Sequence, residues 1–299
     1  MDAFGNLHWL TCGGALVTAA AAVAGGWLAR GSTAVPAAAW AALAAVMLAA
    51  EALATATGGL VDPAARSAVR LVVAALAVCP TMALLGAKRP QHGVWQFIVA
   101  TLACVLALPA LSALLVRPGS LPDVHIIVRF FLPLLVIVGW MNFAATRHGL
   151  AAALVAGGQL LLVAGFLPGV GQGEPLGAKI DGAGAGLVAA GAVLAAVQSA
   201  LWPATRPRRQ GLAAVTDPPL LAIRETLGAA WTLRIAERFN AVAGERGWPC
   251  RLGFSGLIVD PPAGRGDWEA DAVRCLRALL RRFATEGWIE RHGGLEAVA

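Results

Sequence analysis

Glu51 is a lone carboxylate in an Ala-rich apolar run, and Arg70 and Arg129 are single guanidinium groups in two later runs. A charge inside a membrane-length apolar segment costs about 3 kcal/mol on insertion scales and defaults to a functional reading. Taken as helices with a rise of about 1.5 Å per residue, the runs bring the three charges to one depth. Glu51 then lies about 9 Å below the end of its span, and Arg70 and Arg129 about 5–8 Å below the ends of theirs. Asp62, Asp123 and His125 follow just above them. Two chemistries fit. One is a polar site that opens outward and handles an ion or polar solute. The other is a structural ion pair that neutralises Glu51, with the arginines snorkelling to the interface. Either way Glu51 is expected to pair with Arg70 or Arg129. Gln159, Asn142 and Gln198 stand isolated in apolar surroundings and read as hydrogen-bonding groups between helices.

Other motifs fail on chemistry. Gly253-Phe254-Ser255-Gly256 matches the short string of intramembrane serine proteases, but it lies in a charged segment. No later apolar span supplies a histidine within hydrogen-bond reach of that serine. Residues 173–179 lack the Gly-Lys-Ser/Thr core of a phosphate loop. His8, His92, His125, His148 and His292 are scattered without ligand spacing, and no two of the five cysteines form a CxxC pair. No metal, no cofactor and no catalytic residue is therefore expected.

The elements that must carry these residues are apolar. Hydrophobic residues make up 58% of the chain and charged residues 13%, against roughly 25% charged in a soluble globular protein. Seven runs at about 8–29, 35–57, 67–86, 94–116, 124–145, 150–168 and 183–202 are each long enough to cross a bilayer. Trp9, Trp27, Trp40, Trp95, Trp140 and Trp202 fall at or near their ends, the level that indoles prefer. No basic residue precedes Trp9, so a cleaved signal peptide is not expected. With the N-terminus outside, the inner loops carry Arg30, Lys88, Arg89, Arg147, Arg206, Arg208 and Arg209. The outer side carries Arg66, Arg117 and Lys179, with Arg70 and Arg129 just inside helices. The excess predicts an N-out, C-in protein of the inner membrane. The Gly-rich loop at 169–182 is then outside and expected to be mobile. Pro80, Pro109 and Pro133 fall inside three successive spans, where broken helices can build a transport site or be tolerated through re-satisfied backbone groups.

Composition changes after residue 203. Residues 204–299 hold fourteen arginines and eleven carboxylates. Residues 204–218 read as a basic linker at the membrane surface, and residues 219–299 as a cytosolic domain. A helix is predicted at about 219–245 from the spacing of Leu220, Ile223, Leu227, Trp231, Ile235, Phe239 and Val242. A strand is predicted at 251–259, closed by turn residues at 260–266. A second helix follows at about 268–285 with Asp267 as N-cap, and Gly287 to Arg291 read as a short strand. Trp231, Phe239, Leu279 and Phe283 are expected inside. Arg274, Arg277 and Arg281 line the opposite helix face and could contact an anionic surface. The predicted fold is an all-α transmembrane bundle of about seven spans, residues 1–203, with a small α+β cytosolic C-terminal domain.

Three stretches resemble an uncharacterised family of bacterial multi-pass membrane proteins. They are Cys79-Pro-Thr-Met-Ala-Leu-Leu-Gly-Ala-Lys-Arg-Pro with Trp95 following, Leu227-Gly-Ala-Ala-Trp-Thr-Leu-Arg-Ile-Ala-Glu-Arg-Phe-Asn240, and Leu280-Arg-Arg-Phe. The resemblance implies no activity and no catalytic residue; it implies that spans and tail belong to one unit. Three functions remain open. The first is a non-enzymatic adaptor, sensor or assembly factor whose tail contacts a cytosolic protein, with the lipid bilayer its other partner and nucleic acid not expected. The second is a transporter or channel with a polar site around Glu51, Arg70 and Arg129. The third is a lipid-acting enzyme, for which the loop Lys88-Arg89-Pro90-Gln91-His92 meets headgroups but offers no nucleophile.

Overall fold

The computed structural model describes residues 3–88, 92–166, 174–201, 211–260 and 266–293. Among them are seven helices long and apolar enough to cross a membrane: Asn6–Leu28, Val35–Ala56, Pro63–Leu85, Gly93–Val116, Ile126–Ala144, Gly149–Phe166 and Lys179–Leu201. Their elements are α1 (Ala3–Leu28), α2 (Val35–Ala56), α3 (Pro63–Ala77) with α4 (Cys79–Leu85), α5 (His92–Leu111), α6 (Ile126–Ala144), α7 (Gly149–Val163) and α8 (Glu174–Leu201). Residues 174–182, read above as loop, are thus the first turns of α8, and residues 167–173 lie outside the described residues.

Each proline has a local consequence. Pro80 lacks an N–H and its ring crowds the preceding turn, so the third span breaks at Val78 into α3 and α4. Gln159 of α7 donates Nε2–H to the Ala77 carbonyl beside the break (2.8 Å). Pro109 sits inside α5, which continues as a π-helical turn at Ser112–Val116. Pro133 lies inside α6.

Glycine sets the closest helix contacts. α8 lies against α7 and α1. A Cβ on Gly158 would sit 2.5 Å from the Gly184 carbonyl oxygen, and one on Gly191 would sit 2.7 Å from that of Ala151. The backbones of α7 and α8 can meet only because these positions carry no side chain. Outward-facing apolar side chains such as Phe97, Leu115, Ile127, Phe130 and Leu134 are exposed around the bundle.

The tail is α9 (Leu212–Leu227), α10 (Ala229–Arg246), β1 (Cys250–Gly253), β2 (Gly256–Val259), α11 (Trp268–Leu280) and α12 (Glu286–Arg291). It corrects several expectations. Residues 212–218 are helical rather than linker, while Arg206, Arg208 and Arg209 lie outside the described residues. The helix expected at 219–245 is two helices, because Gly228 (φ +86°) turns the chain between them. The expected strand is an antiparallel hairpin pairing Cys250 with Val259, looped at Phe254-Ser255. Asp217 accepts from Leu257 N (2.7 Å) and Asn240 accepts from Leu252 N (2.7 Å), so side chains supply partners this small sheet lacks. Residues 261–265 of the expected closing turn lie outside the described residues. α11 ends at Leu280, and Asp267 makes no side-chain cap bond. Residues 287–291 are helix, capped by the Thr285 hydroxyl, not strand.

The tail core holds Leu220, Ile223, Leu227, Phe239, Leu276, Leu280 and Trp288, all buried. Trp231 and Phe283 are also buried and lie 5.0 Å apart between ring centroids. Leu279 is half-buried, and Leu280 takes the interior position expected of it. Leu280→Ala is therefore expected to cost about 2–5 kcal/mol. Arg277→Ala, which loses a partly exposed ion pair with Glu286, should cost about 0–1 kcal/mol. Chemical unfolding of the full chain followed by Trp fluorescence checks both; equal losses would overturn this packing.

This core does not close on itself. Ala34 and Ala87, from the α1–α2 and α4–α5 connections, belong to it. Trp231 donates its indole N–H to the Leu84 carbonyl (2.7 Å). Thr33 N donates to Phe283 O (2.8 Å) and Thr285 N to Gly31 O (2.7 Å). The tail is docked on the end of the bundle where α1, α4 and α6 finish. The three stretches that carry the resemblance meet at this seam: Leu84, Leu227 to Trp231, and Phe283.

Candidate functional site

Asp62 accepts from Ala64 N and Ala65 N and, with Pro63, starts α3. Two turns on, that helix presents Arg70 to α2. Arg70 donates Nε–H to Glu51 Oε2 (2.9 Å) and Nη2–H to Glu51 Oε1 (2.8 Å). This is the two-point guanidinium–carboxylate fork. Nη1 of the same side chain pairs with Asp181 of α8. The side chains of Glu51, Arg70 and Asp181 are 2%, 10% and 25% exposed, so the network runs from a buried floor to a partly open rim. Arg66 and His8 lie close enough for their charges to couple to it. Helices α1, α2, α3 and α8 thus surround one polar network, well away from the tail.

Arg129 does not belong to it. Its Nε–H donates to the Val124 carbonyl (2.9 Å), tying α6 to its own leading turn, with the His125 ring accepting from Ile127 N nearby. Asp181 takes the place that depth alone had given to Arg129.

Arg274 and Arg277 of α11 and Arg281 just past its end each have a carboxylate partner. Arg274 pairs with Asp271, and Arg277 and Arg281 both pair with Glu286. The hydrogen bond from Arg281 holds the Glu286 carboxyl below its usual range, so it stays charged to accept both.

A second polar group sits at the seam. Asn142, near the end of α6, donates to Leu227 O (2.9 Å) and accepts from Ala230 N (3.0 Å), bracketing Gly228. Glu225 is buried, accepting from Arg147 N (3.1 Å) and from Arg224 Nε and Nη2 (2.9 and 2.7 Å). His148 contacts Gln198 Oε1 through Nδ1 (3.0 Å) and Arg147 Nε through Nε2 (3.3 Å). Arginine can only donate, so Nε2 is the acceptor and Nδ1 carries the proton. Burial, which lowers the His148 pKa, agrees with this neutral form. Asn142 and Gln198 therefore serve the seam and the α7 entrance, and Gln159 serves the α3–α4 break.

No protein-family model, curated protein or solved structure matches the chain.

Proposed function

We propose that the chain is a multi-pass inner-membrane protein of the transport class, with its N-terminus outside and its tail in the cytoplasm. The Glu51–Arg70–Asp181 network is its ion- or solute-coupling site near the outer face. The observation that carries this reading is that network: one guanidinium held between two carboxylates, on three helices inside an apolar bundle, with Asp181 partly open. Intramembrane ionisable groups of this kind mark ion and substrate pathways. Membrane placement rests on seven membrane-length apolar helices and on exposed apolar side chains too numerous for a water-facing surface. Orientation rests on Arg30, Lys88 and Arg147 at the tail end of the bundle, and on the basic run that follows the seventh apolar segment in the sequence at 206–209. The adaptor reading drew on the absence of catalytic chemistry beside a folded tail. That tail is docked on the bundle through Trp231 and Leu84, and its Arg274, Arg277 and Arg281 are paired with carboxylates.

A transport site must be reached by water; a purely structural ion pair need not be. Asp181→Cys, with every native cysteine but Cys104 replaced, is treated with a membrane-impermeant cationic thiosulfonate in right-side-out and inside-out vesicles. Cys104 is exposed on the apolar exterior and serves as the lipid-buried control. The expected result is rapid modification from the outer face and none at Cys104. Modification from the tail side alone would reverse the orientation. No modification from either face would overturn the transport reading.

A further inference from the structure

Two cavities lie in the bundle apart from the charge network. The first, of about 300 Å³, lies between α1, α2, α3, α4, α7 and α8 and is walled mainly by alanine, with Leu48 and Val73 at the end one turn from Glu51 and Arg70. The second, of about 350 Å³, lies between α4, α6, α7, α8 and α9. They share a wall that includes Pro80, Val155, Gln159, Ala195 and Ser199. Leu85 and Trp140, 42% and 41% exposed, line the second cavity and also face outward. That edge opens to the apolar exterior.

The polar atoms of the lining decide what can occupy it. Thr18 donates to Gly14 O, and Gln159 Nε2–H is used on Ala77 O. Asn142, His148, Glu225 and Thr226 are engaged at the seam or within their helix. What remains is Gln159 Oε1 and the Ser199 hydroxyl on the shared wall, with the Thr81 hydroxyl and the Trp140 indole N–H in the second cavity. A buried water needs about 2–4 polar partners, so these few groups can hold a water or two but cannot support water through cavities of this size. Most of the space suits an apolar occupant. Neither cavity is lined by Lys or Arg, and the second is lined by a carboxylate, Glu225. Glu225 is itself held by Arg224 and Arg147, and no cation lines the wall to receive an anionic headgroup.

We propose that the two cavities form one site for a neutral lipophile from the bilayer: a hydrocarbon chain with an uncharged hydrogen-bonding end. It enters past Leu85 and Trp140. Its chain fills the alanine-walled chamber, and its polar end meets Gln159 Oε1 and Ser199. This holds whether or not the charge network conducts.

The test uses the full chain in phospholipid nanodiscs and a diazirine-bearing tetradecanol as photoprobe, with labelled residues mapped by mass spectrometry. Labelling is expected on the cavity-facing residues of α1 and α8. Unlabelled tetradecanol should compete at about tenfold lower concentration than tetradecanoate, a factor worth about 1.4 kcal/mol. Ala195→Phe, which fills the shared wall, should abolish cavity labelling while labelling of the exterior residues Phe97 and Leu115 persists. Ala41→Leu fills the chamber from the opposite wall, so the test stands if either variant folds as judged by its thermal transition. Labelling confined to exterior residues, or cavity labelling that survives both folded variants, would overturn the site. Equal competition by tetradecanoate would overturn the neutral class.

Discussion

Replacing Arg70 by leucine is expected to destabilise the chain by about 3–5 kcal/mol, the usual cost of removing one partner from a buried ion pair. Glu51 is almost fully buried and receives two hydrogen bonds from Arg70, and Asp181 is held by the same side chain. The substitution would leave two carboxylates facing each other across α2 and α8 without their shared cation. Glu51→Gln should cost less, about 1–3 kcal/mol, since the amide keeps an acceptor for Arg70 and Arg70 keeps Asp181. Replacing Glu51, Arg70 and Asp181 together by leucine should recover much of the loss, because well-packed apolar replacements of buried ion pairs are often near neutral. That triple variant separates fold from function. A purely structural network leaves it stable and fully active, whereas a coupling site leaves it stable and inactive. Denaturant titration in detergent, followed by Trp fluorescence, reads the stability. A loss from Arg70→Leu no larger than that from Arg282→Ala, an exposed arginine of the tail, would mean the network does not hold the bundle together.

The seven membrane-length helices were legible because length and apolarity are strong signals that need no partner. The membership of the charge network was only half legible. Depth follows from counting 1.5 Å per residue, but facing does not. Arg129 has the right depth and turns to Val124 O instead. Asp181 was missed because its Gly-Ala-Gly-Ala-Gly context reads as loop by the rules of water-soluble chains. In a packed bundle the same glycines allow α8 to touch α7 at Gly158 and Gly184. The spacing of Gly184 and Gly191, two turns apart on one face, was the available signal. In the tail, the apolar spacing runs from Leu220 to Val242 without a phase break, so one helix was read where Gly228 divides two. Gly228 itself was visible, but its partner Asn142 lies 86 residues earlier, and no local pattern reports such a contact.

That contact sets the other large effect. Gly228 has φ +86° and ψ −172°, a region essentially confined to glycine. A Cβ there would lie 2.2 Å from Asn142 Nδ2 and 2.5 Å from its Cγ. Gly228→Ala must therefore strain the backbone, at about 1–3 kcal/mol. It must also push Asn142 off Leu227 O and Ala230 N, losing two hydrogen bonds of about 0.5–1.5 kcal/mol each. The combined loss is expected to reach about 2–6 kcal/mol and to fall on the seam rather than on the bundle helices. Asn142→Ala loses the bonds without the strain and should cost about 1–3 kcal/mol. Amide hydrogen exchange on the full chain distinguishes loss of docking from general unfolding. Undocking should speed exchange at Ala230 and at Thr33, whose N–H is bound to Phe283 O across the seam. The mid-bundle amides of α2 and α8 should stay protected. If both regions open together, seam and bundle form a single cooperative unit. If neither changes, Asn142 does not hold the tail, and the other seam contacts, among them Trp231–Leu84, Thr33–Phe283, Thr285–Gly31 and Arg147–Glu225, are sufficient.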